Sequence, residues 1–206
     1  MKWKNNLMLL MAALIWGCAF VAQSKGTEHV GPWTFNCLRS IIGGITLFLC
    51  MPFLDKIRNV DKKNLKQKDL ILAGILCGCV LAAGSMFQQM GIMQTTTGKA
   101  GFITALYVIL VPILGILIGH KTRGIIWMAA CIALVGFYFL SFAGEALTLQ
   151  QGDLFLLTCA VLFAVHILVI DHFSFVDGVR MSCVQFFVAG IICLIGMFLF
   201  EKPDIH

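Results

Sequence analysis

The sequence predicts an all-α, polytopic membrane protein with about seven transmembrane helices. Hydrophobic residues make up 60% of the 206 residues and charged residues only 12%, and the mean hydropathy is +0.94. A soluble domain of this length could not bury so much apolar surface and still present a charged exterior. The apolar residues also fall into long runs separated by short polar loops, which is typical of a chain that crosses a bilayer several times.

Each predicted span is an apolar run of about 17–25 residues, long enough to cross a hydrocarbon core of about 30 Å. The first run follows a basic start and is similar to a signal peptide. No cleavage site of small residues precedes the first polar loop, so we interpret it as a retained span. The seven predicted spans are residues 6–23, 33–54, 69–90, 97–119, 124–142, 153–170 and 179–200.

The positive charges predict the orientation of the chain. With a cytoplasmic N-terminus, eleven Lys and Arg residues lie inside and three outside, and the basic loop DKIRNVDKKNLKQKD is cytoplasmic. This distribution follows the positive-inside rule. We therefore expect a multi-pass protein of the cell membrane, specifically a bacterial inner membrane. The net charge of +5 is explained by topology, and nucleic acid is not expected as a partner.

The sequence also contains a candidate internal repeat. A shift of 147 residues aligns residues 5–54 with 152–201 without gaps, and Gly31 and Gly43 then match Gly178 and Gly190. Five predicted spans separate the two starting points, so the copies would have opposite orientations in the membrane. Inverted repeats of this kind are typical of secondary transporters, whose substrate path lies between the copies near the midplane.

Four segments carry a family resemblance: LIWGCAFVAQ, FNCLRSIIGG, QQMGIMQTTTGKAGFITALYVILVP and GDLFLLTCAVLFAVHIL. They resemble the EamA-type transporters of the drug/metabolite transporter (DMT) superfamily. The resemblance implies ten spans arranged as two inverted five-span repeats, and transport of small metabolites without ATP. It implies that residues 1–145 form the first repeat and that residues 152–206 begin a second, incomplete one. Where the family usually has Gly-Glu after the fourth span, this chain has Gly119-His120.

Polar and aromatic residues within the spans are the candidates for a substrate path. Arg39 is the most costly of them, because an arginine inside a span needs a partner or a wet cavity. No carboxylate in the spans is an obvious partner. Backbone carbonyls, water or an anionic group of a solute remain, as does a purely structural role. The candidate substrate-path residues are Trp16, Arg39, Gln88, Gln89, Lys99, Thr104, Tyr107 and His166.

Some of these residues have equally simple structural interpretations. Lys99 lies about one turn inside its span, so it could extend to the surface or line an outward-facing vestibule. Trp16 and Tyr107 could contact lipid or core instead of a cavity. Thr104 could bond a carbonyl of its own helix.

The remaining candidates and the fourth span raise the same choice between structure and function. Gln88 and Gln89 point about 100° apart on a helix, so at most one faces a shared cavity. His166 could be hydrogen-bonded structure or a proton carrier. Small residues along the fourth span suggest close helix packing, and a proline there permits a kink that serves packing or a functional bend. The hinge and packing candidates are Gly101, Pro112, Gly115 and Gly119.

The sequence therefore favours secondary transport of a small metabolite or drug-like solute by alternating access of inverted repeats. One alternative is a non-transporting membrane scaffold or partner subunit. A less favoured one is a membrane acyltransferase, since His166 and Asp171 have a suitable spacing but would lie about 140° apart on a helix. Expected partners are membrane lipid, a small-molecule solute, and either a second copy of the chain or the missing second-half helices. We expect no enzymatic activity, no cofactor and no metal site.

Overall fold

The structure, a computed structural model, describes residues 2–58, 67–119, 124–142 and 150–201, and this part of the chain is helical with no strand. Turns of a few residues join neighbouring helices within these ranges. The helices are α1 Lys2–Gly26, α2 Pro32–Arg58, α3 Gln67–Ile92, α4 Thr97–Ala105, α5 Tyr107–Leu117, α6 Gly124–Phe142, α7 Gln151–His172 and α8 Gly178–Gly196, the last continued by a π-helical turn, Met197–Glu201.

The helices confirm an all-α polytopic membrane fold of about seven spans. Six helical segments in the described ranges are long and apolar enough to cross a bilayer, with α4 and α5 together forming one of them, Thr97–Leu117. Within α6, Gly124–Gly136 is a shorter apolar helix. Several helices continue past the predicted boundaries, because a polar residue can extend the hydrogen-bonded helix beyond the hydrocarbon core. The basic residues of the predicted loop between positions 59 and 66 lie outside the described residues.

Four helices, α2, α3, α7 and α8, form the centre of the bundle. α3 packs along both α7 and α8, and α2 packs along α8. Of the most apolar window of α3, 44% is buried, against 11% in α1, so α3 is central and α1 peripheral. The helix–helix contact is close because Gly74 and Gly78 of α3 lie directly against Val184 and Val188 of α8. Small residues at such contacts let helices approach closely, which favours association in lipid.

The outer helices enclose a second apolar cluster. Phe20 of α1, Ile103 of α4 and Leu156 of α7 are buried together, while α6 packs against α4 and α5. Many large apolar side chains face outward, among them Leu14 and Phe139. In a membrane these faces contact acyl chains that are as apolar as the side chains themselves, so their exposure costs nothing.

The fourth predicted span is interrupted at Leu106, between α4 and α5. The N–H of Leu106 bonds the carbonyl of Ile103 at 3.1 Å, three residues back instead of four. α5 then continues through Pro112 without a break. The irregularity therefore precedes Pro112, the residue at which the sequence permits a kink. Gly119 ends the span with φ of +90°, a conformation that favours glycine.

Candidate functional site

A cavity of about 480 Å³ lies at the centre of the bundle. Six helices line it: α1, α2, α3, α5, α7 and α8. Its wall is mostly apolar with a few polar groups, as in most sites for small molecules, and its volume is within their range of about 300–1,000 Å³. The lining residues are Trp16, Ala19, Gln23, Arg39, Ser40, Gly43, Leu81, Ser85, Gln88, Tyr107, Phe163, His166, Ile167 and Phe186.

Residues related by the shift of 147 line this cavity in pairs. The shift that aligns residues 5–54 with 152–201 relates α1 to α7 and α2 to α8. Side chains from all four of these helices reach the cavity. The paired lining positions are Trp16 with Phe163, Ala19 with His166, and Arg39 with Phe186.

Arg39 supplies the fixed positive charge of the cavity. Its Nη1 donates to Oε1 of Gln23 at 2.7 Å, and its Nη2 donates to Oδ1 of Asn36 at 2.7 Å. The guanidinium carbon also lies 6.0 Å from the ring centroid of Phe35, within range of a cation–π contact. These partners are neutral, and none of the lining residues is acidic. Among the described residues, the cavity therefore has no carboxylate to balance Arg39.

A second hydrogen-bond donor accompanies Arg39 at the cavity. Gln88 is only 2% exposed, and its Nε2 has no partner among the described residues. Ser40 and Ser85 are also buried and also line the cavity. An unpaired buried amide is costly unless a ligand or water completes its bonding. Gln88 thus adds donor capacity that is available to a bound solute.

Gln89 points away from the cavity, as expected when adjacent glutamines point about 100° apart on a helix. Its Nε2 donates to the carbonyl of Gln23 at 3.3 Å and to Oγ1 of Thr27 at 3.3 Å. The side chain, fully buried, thereby joins α3 to the end of α1. The predicted substrate path includes Gln89, but the structure gives it a helix-joining position.

Three aromatic rings form one wall of the cavity. Tyr107 lies between Trp16, at a centroid distance of 5.8 Å, and Phe163, at 6.5 Å. Trp16 is 42% exposed, so it contacts the cavity on one side and the lipid on the other. Aromatic pairs at these distances and tilted angles are favourable beyond their buried area. The wall is suited to an apolar or aromatic part of a solute.

His166 also lies on the cavity wall and has a fixed partner. Its Nε2 is 3.0 Å from Oε1 of Gln185 on α8. Helix α7 continues through His172, so His166 and Asp171 lie on one continuous helix about 140° apart. The His–Asp arrangement of the acyltransferase alternative is therefore not formed.

Lys99 lies outside the cavity and makes an ion pair. Its Nζ is 2.8 Å from Oδ2 of Asp153 at the start of α7, and the two side chains are 17% and 3% exposed. Asp153 also accepts a hydrogen bond from the backbone N–H of Gln150 at 3.1 Å. Neither predicted role of Lys99, extension to the surface or a vestibule, includes this partner.

Thr104 and the hinge candidates also lie outside the cavity lining. Thr104 is buried on α4. Gly101 faces Phe20, with 3.8 Å between an added Cβ and that ring, and it borders a separate groove between α1 and α4. Gly115 is buried, whereas Gly119 is exposed. The small residues of this span therefore do not form one continuous buried seam.

Acidic side chains join α2 and α8 at both ends of the cavity-lining pair. Glu201 accepts hydrogen bonds from the backbone N–H groups of Trp33 at 2.5 Å and Thr34 at 2.9 Å. A carboxylate at a helix N-terminus is favoured by the helix dipole. At the other end Asp55 binds Nη2 of Arg180 at 2.6 Å. The two helices are therefore antiparallel. The shift of 147 also relates Trp33, at one of these ends, to Arg180 at the other.

Asp177 makes a further contact between the end of α2 and the start of α8, where Asp55 also lies. It caps α8 by accepting from the backbone N–H of Arg180 at 2.9 Å, and it pairs with Arg58 at 2.9 Å. Burial alone would raise the pKa of Asp177, but the hydrogen bonds from Arg180 and Arg58 and their charges outweigh it, so the pKa lies below its ordinary value. The Asp177 carboxylate is therefore charged at neutral pH.

The described residues hold no group of three or more metal-ligating side chains. The cysteines in this part of the chain are free thiols spread through the bundle. His120, which the sequence comparison above singled out, lies outside the described residues.

Sequence reasoning identified five of the lining residues: Trp16, Arg39, Gln88, Tyr107 and His166. It missed their partners, chiefly Gln23, Asn36 and Gln185. It also missed Phe163 and Phe186, although the shift of 147 applied to Trp16 and Arg39 points to these two positions.

Comparisons with known proteins agree with this architecture. The sequence model of the EamA-like transporter family matches residues 3–142. An uncharacterized transporter of Archaeoglobus fulgidus is 32% identical over 176 residues, which cover 82% of this chain and 49% of that protein. This chain thus spans about half the length of the relative it matches, and no solved structure matches it. Both similarities are to transporters, and the chain belongs to the EamA-like transporter family.

Proposed function

We propose that this chain takes part in secondary, ATP-independent transport of a small metabolite or drug-like solute, with the central cavity as the solute site. Membership of the EamA-like family supports transport in general. The observation that carries the finer proposal is that positions 147 residues apart line one cavity in pairs. A site built by equivalent positions of two copies is what an inverted-repeat transporter requires.

In this proposal residues 1–145 are one repeat and residues from 152 onward begin the inverted second. Helices α2 and α8 pack antiparallel to each other, with acidic contacts at both ends. This arrangement supports opposite orientations of the two copies. A cytoplasmic N-terminus in the cell membrane follows from the positive-inside rule. Because the chain covers 49% of its relative, the same cavity would belong to a larger transporter if further helices complete the second repeat.

We place the gates for alternating access at the two ends of the α2–α8 pair. In this proposal the Glu201 contact with Trp33 is the gate at one end of the pair, and the Asp55 contact with Arg180 is the gate at the other. Opening one contact while the other stays closed would expose the cavity to one side of the membrane at a time. Rigid-body rocking of two halves around a fixed site is the usual motion in such transporters.

A transport measurement tests this proposal. The whole native protein is reconstituted into liposomes loaded with a mixture of small metabolites and no nucleotide, and the solutes that leave are identified by mass spectrometry. We expect selective release of one solute class. Trp16→Ala and Phe163→Ala should each reduce it about 10- to 100-fold, since each removes an aromatic contact worth about 1.5–3 kcal/mol.

Matched variants separate loss of the site from a general loss of packing. Trp3→Ala and Phe198→Ala remove outward-facing aromatic side chains, 83% and 61% exposed, and should leave release unchanged. Release that needs ATP, or that ignores the cavity variants, would contradict the proposal. No release at all, with a second membrane protein bound in fixed ratio, would favour the scaffold alternative.

A further inference from the structure

We infer that the solute of this cavity is an organic monoanion, most simply a carboxylate attached to an apolar or aromatic body. This inference rests on the proposed function and names the solute class of that site. Two groups on the cavity wall carry it: a guanidinium without an acidic partner and a buried amide donor without any partner in the described structure.

The first step is the charge of the cavity. Arg39 is a permanent cation in protein, and its hydrogen-bond acceptors, Gln23 and Asn36, are neutral amides. Two buried carboxylates, Asp153 and Asp55, are paired with other cations, Lys99 and Arg180. A cation in an apolar span without a counter-charge is costly. A bound anion would supply the missing charge.

The second step is the balance of donors and acceptors. A guanidinium has several N–H groups, and hydrogen bonds to Gln23 and Asn36 use one on each terminal nitrogen. Nε2 of Gln88 is a further donor, buried and without a partner among the described residues. Both residues line the same cavity. The remaining N–H groups of Arg39 and the amide of Gln88 match a group that only accepts hydrogen bonds, and a carboxylate is such a group.

The third step is the size and polarity of the remaining wall. Trp16, Tyr107 and Phe163 form an aromatic surface, and the cavity of about 480 Å³ is far larger than an inorganic ion needs. An apolar body would cover this surface while the carboxylate meets Arg39. One fixed cation balances one negative charge, so a monoanion fits better than a phosphate ester with two.

The test compares three probes with the same body and different charge: phenylacetate, phenylacetamide and 2-phenylethylamine. Binding to the purified whole protein in detergent is measured as the rise in its unfolding temperature, which follows affinity. We expect stabilisation by phenylacetate, weaker stabilisation by phenylacetamide and none by the amine. Phenyl phosphate, a dianion with the same ring, should bind less tightly than phenylacetate.

Variants assign the selectivity to Arg39. Arg39→Gln should weaken phenylacetate binding about 10- to 100-fold, the usual cost of losing a charge-assisted hydrogen bond. It should leave phenylacetamide binding nearly unchanged, which also shows that the variant is folded. Gln88→Ala should weaken phenylacetate binding to a smaller extent. Lys25→Gln removes an exposed cation outside the cavity and should have no effect.

Three outcomes would overturn the inference: phenylacetate that stabilises the native protein no more than phenylacetamide, preference for the amine, or anion preference that survives Arg39→Gln. The binding measurement needs no transport, so the two proposals fail separately. A protein that releases solute from liposomes without preference for anions would retain the transport function and lose the monoanion assignment. One that binds phenylacetate through Arg39 but moves no solute would do the reverse.

Discussion

Arg39 and Lys99 are both cations within membrane spans, but their hydrogen-bond partners differ in charge. Lys99 has a carboxylate partner, Asp153, 2.8 Å away, whereas Arg39 has only neutral amides. A buried ion pair roughly offsets its own desolvation cost, while a lone charge does not. This difference supports a structural role for Lys99 and the proposed ligand-binding role for Arg39.

Removing one member of the Lys99–Asp153 pair should therefore be costly. Asp153→Leu leaves Lys99 without a partner, and we expect a loss of about 1–3 kcal/mol, less than for a fully buried pair because Lys99 is partly exposed and can extend to the surface. The combined change Lys99→Met with Asp153→Leu should restore much of that loss. Thermal unfolding in detergent measures both.

The exposed Lys25–Glu28 pair is the control, and Lys25→Gln should not change the unfolding temperature. If Asp153→Leu proved as harmless as Lys25→Gln, the structural role of the buried pair would be wrong.

At this scale the sequence was informative about which residues are unusual and uninformative about their partners. An arginine or lysine in an apolar span is conspicuous by its cost. The partners Gln23, Asn36 and Asp153 depend on how helices rotate against one another. That rotation is set by packing, which no local pattern records.

Among the helices, the α3–α8 contact shows how small residues determine the architecture. Gly74 and Gly78 are four residues apart and lie on one face of α3. A Cβ at Gly78 would be 2.6 Å from Cβ of Val188 and 2.9 Å from the carbonyl oxygen of Gln185. The carbonyl belongs to the backbone and cannot turn aside, so the helices would have to separate.

We expect Gly78→Ala to destabilise the protein by about 1–3 kcal/mol, the usual cost of overpacking. Gly17→Ala is the matched control, because nothing lies within 4 Å of its added Cβ. It should be neutral or stabilising by up to about 1 kcal/mol through helix propensity. Unfolding temperatures in detergent compare the two, and equal effects would refute the close α3–α8 contact.

The helices themselves were predictable from the sequence, since apolar runs of membrane-spanning length have few other structures available. The break at Leu106 was not. Pro112 was the obvious candidate for a kink, yet α5 runs through it, and the irregular hydrogen bond from Leu106 to Ile103 lies earlier. The apolar residues around Leu106 carry no breaker, so no local pattern marks the position.

The whole molecule combines closely packed central helices, a peripheral α1, and a cavity lined by six of the helices. Equivalent positions of the proposed copies meet in that cavity, and acidic contacts hold the α2–α8 pair at both ends. The proposed repeat rests on an ungapped register and on matched glycines in the sequence. Tertiary packing determines whether equivalent positions of the two copies share one cavity. A shared cavity is what the proposed inverted-repeat transporter needs.

The central claim is that this cavity opens in turn to each side of the membrane, and one accessibility measurement tests it most directly. Ser85, buried on the cavity wall, is changed to cysteine in the native protein within sealed, oriented vesicles. A membrane-impermeant thiol reagent is added from one side or the other, and labelling of the unaltered protein gives the background from its own cysteines. We predict labelling of Ser85→Cys above that background from both sides. Labelling from one side only, or from neither, would contradict the account.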